Sequence, residues 1–146
     1  MQLSPHFTLE EATFSETAER KGLDNTPGKQ VMINMTKTAE HMEKVRDALG
    51  GRSIYVSSWY RSPAVNTAVG GSATSGHMQG WCVDFKCRSF GTPLEIIKEL
   101  IKKGVRFDQV IQEGTWVHIS FDPRMRGTVL TAIFHANGKV TYKNGL

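Results

Sequence analysis

Apolar residues recur at steps of three and four at Met32, Met35, Ala39, Met42, Val45 and Leu49, the period of one helix face, and Gly50-Gly51 follows them. The spacing predicts one long amphipathic helix over about 30–49, with its methionines in the core. Two shorter helices are expected before it. Thr8-Leu-Glu-Glu11 is a capping box, and Ser15 can cap a helix over 16–21 that Gly22 stops. Pro63 after Ser62 suits the first position of another short helix. Thr92-Pro93-Leu94-Glu95 opens a further helix, expected to run to Lys103 with Leu94, Ile97, Leu100 and Ile101 as its apolar positions.

Between and after these helices the period changes to two. Residues 53–59 are β-branched and aromatic, and 81–87 alternate so that Val83 and Phe85 face one way, Cys82 and Asp84 the other. Residues 107–112 predict a strand, with a turn at Glu113-Gly114-Thr115. In the next strand, 116–121, Val117, Ile119 and Phe121 face the core and Trp116, His118 and Ser120 the opposite side. Strand 128–135 is followed by Asn137-Gly138, a hairpin signal. Helices gather early and hairpins late, without a repeating strand–helix unit. The expectation is an α+β fold in a single compact domain over 1–146, an antiparallel sheet with helices packed on one side.

Length and composition agree with one soluble globular domain: 146 residues, 39% hydrophobic and 22% charged. No apolar run approaches the ~18 residues of a membrane span, so no membrane partner is expected. The first residues do not read as a secretory signal. The expected location is therefore the cytoplasm during synthesis, that of a phage-infected bacterium among the settings, followed by release to the wall or packaging in a virion. Eighteen Lys and Arg against fourteen Asp and Glu give a net charge of +4, which favours anionic partners. The basic residues are dispersed, which argues against nucleic acid. Cys82 and Cys87 would fall on opposite strand faces, so reduced thiols are expected rather than a bridge.

Chemistry concentrates in Ser75-Gly-His-Met-Gln-Gly-Trp-Cys-Val-Asp84. His77 and Asp84 flank a glycine turn, and His118 lies on the polar side of a later strand. Two histidines and an aspartate are a ligand set for a catalytic zinc, which keeps a fourth position for water. The plain alternative is a loop histidine and a strand-edge aspartate in hydrogen bonds. It weakens for the set, because a charge on a buried strand is costly unless paired or metal-bound. Glu113 could move the water's proton and Arg61 could hold an oxyanion or a substrate carboxylate. An exposed turn glutamate and a surface arginine are the competing readings.

Tyr60-Arg-Ser-Pro63 with Asn66, Gly70-Gly-Ser72, Ser75-x-His77-x-x-Gly80-x-Cys82-x-Asp84, and Phe107-Asp-Gln109 through Trp116-Val-His-Ile-Ser120 together resemble the D-alanyl-D-alanine carboxypeptidase family of zinc peptidases. That family includes phage endolysins that cut L-alanyl-D-glutamate bonds and shares its fold with hedgehog signalling domains. The resemblance implies one zinc ion on His77, Asp84 and His118, with Glu113 as catalytic carboxylate and Arg61 as the arginine that contacts substrate and polarises the carbonyl. Ser75 and Trp116 would line the substrate site. Glu113 stands farther from the last ligand than in Glu-x-x-His members, which leaves Asp108 as a second choice of base. Cys82 stands where alanine is usual, expected as a packing residue rather than a fourth ligand.

The activity implied is zinc-dependent cleavage of peptidoglycan stem peptides beside D-amino acids, of the D-alanyl-D-alanine carboxypeptidase type, by a monomer. The alternatives are a phage L-alanyl-D-glutamate endopeptidase and a non-catalytic zinc-stabilised wall-binding or virion module.

Overall fold

A computed structural model describes residues 1–146. In chain order its elements are β1 (Gln2–Ser4), β2 (Phe7–Thr8), α1 (Leu9–Thr13), α2 (Glu16–Lys21), α3 (Lys29–Ala48), β3 (Tyr55–Ser58), α4 (Pro63–Ala68), a 3₁₀ turn (Gly76–Gln79), β4 (Cys82–Lys86), α5 (Pro93–Lys102), β5 (Gln109–Glu113), β6 (Trp116–Ser120), β7 (Thr128–Phe134) and β8 (Val140–Asn144). The helix starts follow local chemistry. Thr8 and Thr92 both complete capping boxes, with Glu11 and Glu95, and the Ser15 and Ser62 side chains accept from Ala18 and Val65 amides.

β1 and β2 form a small ribbon, and the other six strands make one sheet in the order β3-β4-β6-β5-β7-β8. The fold is α+β, as the order of elements predicts. The sheet is not wholly antiparallel, however: β7 runs parallel to β5, with Val110 opposite Val129 and Ile111 opposite Leu130. The cause is that β5 and β6 are joined by a tight hairpin and β6 already lies between β4 and β5. The chain leaving β6 must therefore return to the free edge of β5 in β5's own direction.

The core lies between one sheet face and helices α3 and α5. Val83, Phe85, Val110, Val117 and Ile119 from the strands meet Met35, Ala39, Met42, Val45 and Leu49 from α3. Met32, at the start of the predicted stripe, is only partly buried. In α5 the buried residues are Ile96, Ile97 and Leu100, whereas Ile101 is exposed and Leu94 partly so. Ile96 and Leu100, four apart, flank Ile97 on the face turned to the sheet, and Ile101 falls beyond its edge. Both cysteines are free and buried.

Candidate metal centre

The other face of the sheet carries the polar residues. Because directly opposed residues point the same way, the register sorts them into rows. Asp84 opposes His118, His118 opposes Ile111, and Ile111 opposes Leu130. The row on one side holds Trp116 opposite Glu113, and the row on the other side holds Cys82, Ser120 and Gln109. Glu113 is thus the last residue of β5, and the turn proper is Gly114-Thr115. A pocket of about 540 Å³ runs over these rows and also includes Arg61, Ser75, His77 and Tyr142.

His77 arrives from outside the sheet. Its Nδ1–H donates to the Trp59 carbonyl at 2.6 Å, which turns Nε2 toward Asp84 Oδ2 at 3.4 Å. This bond selects the tautomer with a free Nε2 lone pair, the arrangement that a histidine ligand needs. His118 Nδ1 lies 2.8 Å from Asp84 Oδ1. Donor atoms of His77, Asp84 and His118 all fall within 4.8 Å of one another. A tetrahedral ion with bonds of ~2.0–2.1 Å sets its ligand atoms ~3.3 Å apart, so this donor set fits zinc in chemistry and lies near enough to converge on one ion. Cys82 does not join the converging donors. Its Sγ packs on Gly76, where an added Cβ would stand 2.5 Å from the sulfur, consistent with a packing residue.

Several residues outside the motifs hold the 3₁₀ turn in place. Trp59 Nε1 and Thr38 Oγ1 both donate to the Gly80 carbonyl, at 3.0 and 2.9 Å, and Asn34 Nδ2 donates to Gln79 O at 2.9 Å. Gly80 has φ +80°, and a Cβ there would stand 2.7 Å from the Met35 side chain. Gly80→Ala combines left-handed strain with overpacking and is expected to cost about 2–4 kcal/mol. Urea unfolding measures it, and a loss below about 1 kcal/mol would contradict this account. Asn25 does similar work for the rim: its amide donates to the Thr13 and Tyr60 carbonyls and its oxygen accepts from the Ser62 amide. No periodicity or metal-ligand logic marks Asn25 or Thr38. Their loop and helix positions become informative only once the chain is folded.

Arg61 sits between these supports, its backbone amide bonded to His77 O at 3.2 Å. Its Nε is buried without a partner and it makes no ion pair in the structure. Burial lowers its pKa, and the charges of Asp84 and Cys82 oppose that effect. Its side chain lines the pocket with no counter-ion. Ser75 caps the 3₁₀ turn and accepts from the His77 amide, so it lines the pocket and orders a ligand at once. Trp116 is partly buried on the rim. Asp108 also lines the pocket, but its carboxylate takes the Arg126 guanidinium at 2.9 and 2.8 Å and the Arg126 amide at 3.0 Å. That pairing leaves Glu113 as the uncommitted carboxylate. Burial, with the charge of Asp84, raises the Glu113 pKa against the opposing pull of His118 and Tyr142.

Burial disfavours both charges of the Asp84–His118 pair, yet their attraction prevails. Burial would raise Asp84, but His77 and His118 hold it well below the usual carboxylate range. Burial would lower His118, but the hydrogen bond and charge of Asp84, with Cys82 nearby, push it up to about 10. His118 therefore contributes stability that is complete below its unfolded pKa of ~6.5 and is lost as pH rises toward about 10. Asp84 contributes above its unfolded value of ~3.9 and loses that contribution as pH falls. Both contributions coexist between about pH 4 and 6.5, so melting of chelator-treated protein should peak in that window. A melting temperature that climbs steadily from neutral to alkaline pH would contradict this.

The family model for peptidase M15 matches residues 5–120 of the chain, which include all three converging donors, Arg61 and Glu113. No curated protein matches the chain.

Proposed function

The chain belongs to the peptidase M15 family, zinc peptidases that include the D-alanyl-D-alanine carboxypeptidases, and on that premise we propose that it is a peptidoglycan D-alanyl-D-alanine carboxypeptidase. That it is a peptidase acting on peptidoglycan follows from the family; the bond is our assignment. The observation that carries it is Arg61, a half-buried guanidinium without a counter-ion in the pocket of His77, Asp84, His118 and Glu113. A carboxypeptidase needs a fixed cation for the terminal carboxylate beside the scissile amide, and Arg61 meets that need.

His77, Asp84 and His118 would hold the zinc ion, which when bound supplies a Lewis acid and a water acidified toward ~pH 7. Asp84 lies between the two histidines and neutralises part of the local positive charge. Glu113, diagonal to His118 on the neighbouring strand, takes the water's proton and returns it to the departing amine. Its raised pKa suits both halves of that exchange. Arg61 pairs with the substrate's terminal carboxylate and so holds the scissile amide beside the ligand row. Ser75 and Trp116 bound the peptide on either side of the ligand row.

One observation favours a second reading, cleavage between L-alanine and D-glutamate. The pocket also takes in Arg124 and Arg126, each paired with a carboxylate of its own wall, which gives room for a chain extending in both directions from the scissile bond. Mass spectrometry of digested muropeptides separates the two. Loss of one alanine supports the carboxypeptidase, and release of the stem peptide beyond its first alanine establishes the endopeptidase instead. The same reading places the enzyme on the wall after release from the cell that makes it, or within a virion.

A further inference from the structure

The match to the family ends at residue 120, yet the hairpin β7–β8 beyond it helps to build the site. Tyr142 lines the same pocket as Glu113. The register explains how a residue on the edge strand reaches it. Tyr142 opposes Ala132 on β7, and Ala132 lies one step beyond the Gln112–Thr131 pair, level with Glu113 on β5. Glu113, Ala132 and Tyr142 therefore form one row on the site face. The middle member is a methyl group, which leaves the space above it to its two neighbours. Two strand spacings of ~4.8 Å separate the outer backbones, a gap that glutamate and tyrosine side chains extended toward each other can bridge.

The hairpin is also seated on the turn that ends β5. A Cβ at Gly114 would stand 3.0 Å from the Phe134 ring, so β7 packs directly on the residue after Glu113. The phenol and the carboxylate act on one another. Burial raises the Tyr142 pKa first, and the nearby Glu113 carboxylate raises it further.

We propose that Tyr142 is a positioning residue for Glu113: its phenol O–H donates to one carboxylate oxygen and leaves the other directed at the reacting water. The inference rests on the reading above, in which Glu113 moves the proton. A hydrogen bond to a carboxylate fixes its orientation without touching the substrate, so the benefit should appear in turnover and not in substrate binding.

The test is steady-state kinetics on soluble muropeptides with Tyr142→Phe, which keeps the ring and removes the donor, in the wild-type and Glu113→Asp backgrounds. The zinc-loaded Tyr142→Phe enzyme is expected to lose about tenfold in kcat, the effect of one charge-assisted hydrogen bond, with KM changed less than about twofold and metal content unaltered. In Glu113→Asp, whose carboxylate is one methylene shorter, the same change should cost less than about twofold. Wild-type kcat in Tyr142→Phe, a rise in KM alone, or equal losses in both backgrounds would overturn the inference and leave the peptidase reading intact. A wild-type enzyme that cleaves no muropeptide would overturn both.

Discussion

Glu113→Gln is expected to lower stem-peptide hydrolysis by about 10³-fold, within the ~10²–10⁴ that positioned acid–base groups contribute, while zinc content and melting temperature stay near wild type. The geometry separates these effects. Glu113 is at the end of β5, one row along from the ligand row, and is not among the converging donors. Its amide replacement preserves volume and hydrogen bonding but cannot accept and return a proton. The carboxylate also has no cationic partner in the structure, unlike Asp108 with Arg126, so little stability should depend on its charge. Unchanged hydrolysis in Glu113→Gln would remove it from the mechanism. A parallel loss of zinc would instead make it part of the metal's support.

Asp84→Ala should abolish hydrolysis and weaken zinc binding by more than ~10²-fold, the upper end of what losing even an outer-shell partner costs. Asp84 faces both histidines, at 3.4 Å from His77 Nε2 and 2.8 Å from His118 Nδ1, and it is the only anion in the set. Without it two imidazoles remain, and a pair of neutral donors does not offset the charge of a dication. Chelation of the wild-type protein should give the same inactive state and zinc should reverse it, whereas zinc should not rescue Asp84→Ala at stoichiometric concentration. Metal analysis with an activity assay measures both. Full activity after exhaustive chelation would exclude zinc as the cofactor.

The two experiments together bear on the alternative of a zinc-stabilised module without catalysis. A structural ion requires the ligands but has no use for a carboxylate one row away or an unpaired arginine at the rim. Glu113→Gln distinguishes the two, because a structural module would show no activity for it to remove.

Much of this molecule is legible in the order of its residues. Local rules act over a few positions, so the capping boxes at Thr8 and Thr92, the glycine stop at Gly22, the stripe of α3 and the alternation of β4 and β6 can all be read without the fold. The candidate ligands are legible for the same reason: Asp84 and His118 are polar residues on the outer phase of strands whose other phase is apolar. Only the tertiary structure decides that β4 lies beside β6 with Asp84 opposite His118, since strand pairing depends on contacts between residues 34 positions apart. It also decides the parallel return of β7, the pairing that occupies Asp108, and the support of the His77 turn by Thr38, Trp59 and Asn34. These contacts link residues whose spacing follows no helix or strand period. The stretch from Ser75 to Asp84 supplies two donors by sequence alone, but it becomes part of a candidate metal centre because Trp59 fixes the tautomer of His77 and β6 brings His118 alongside.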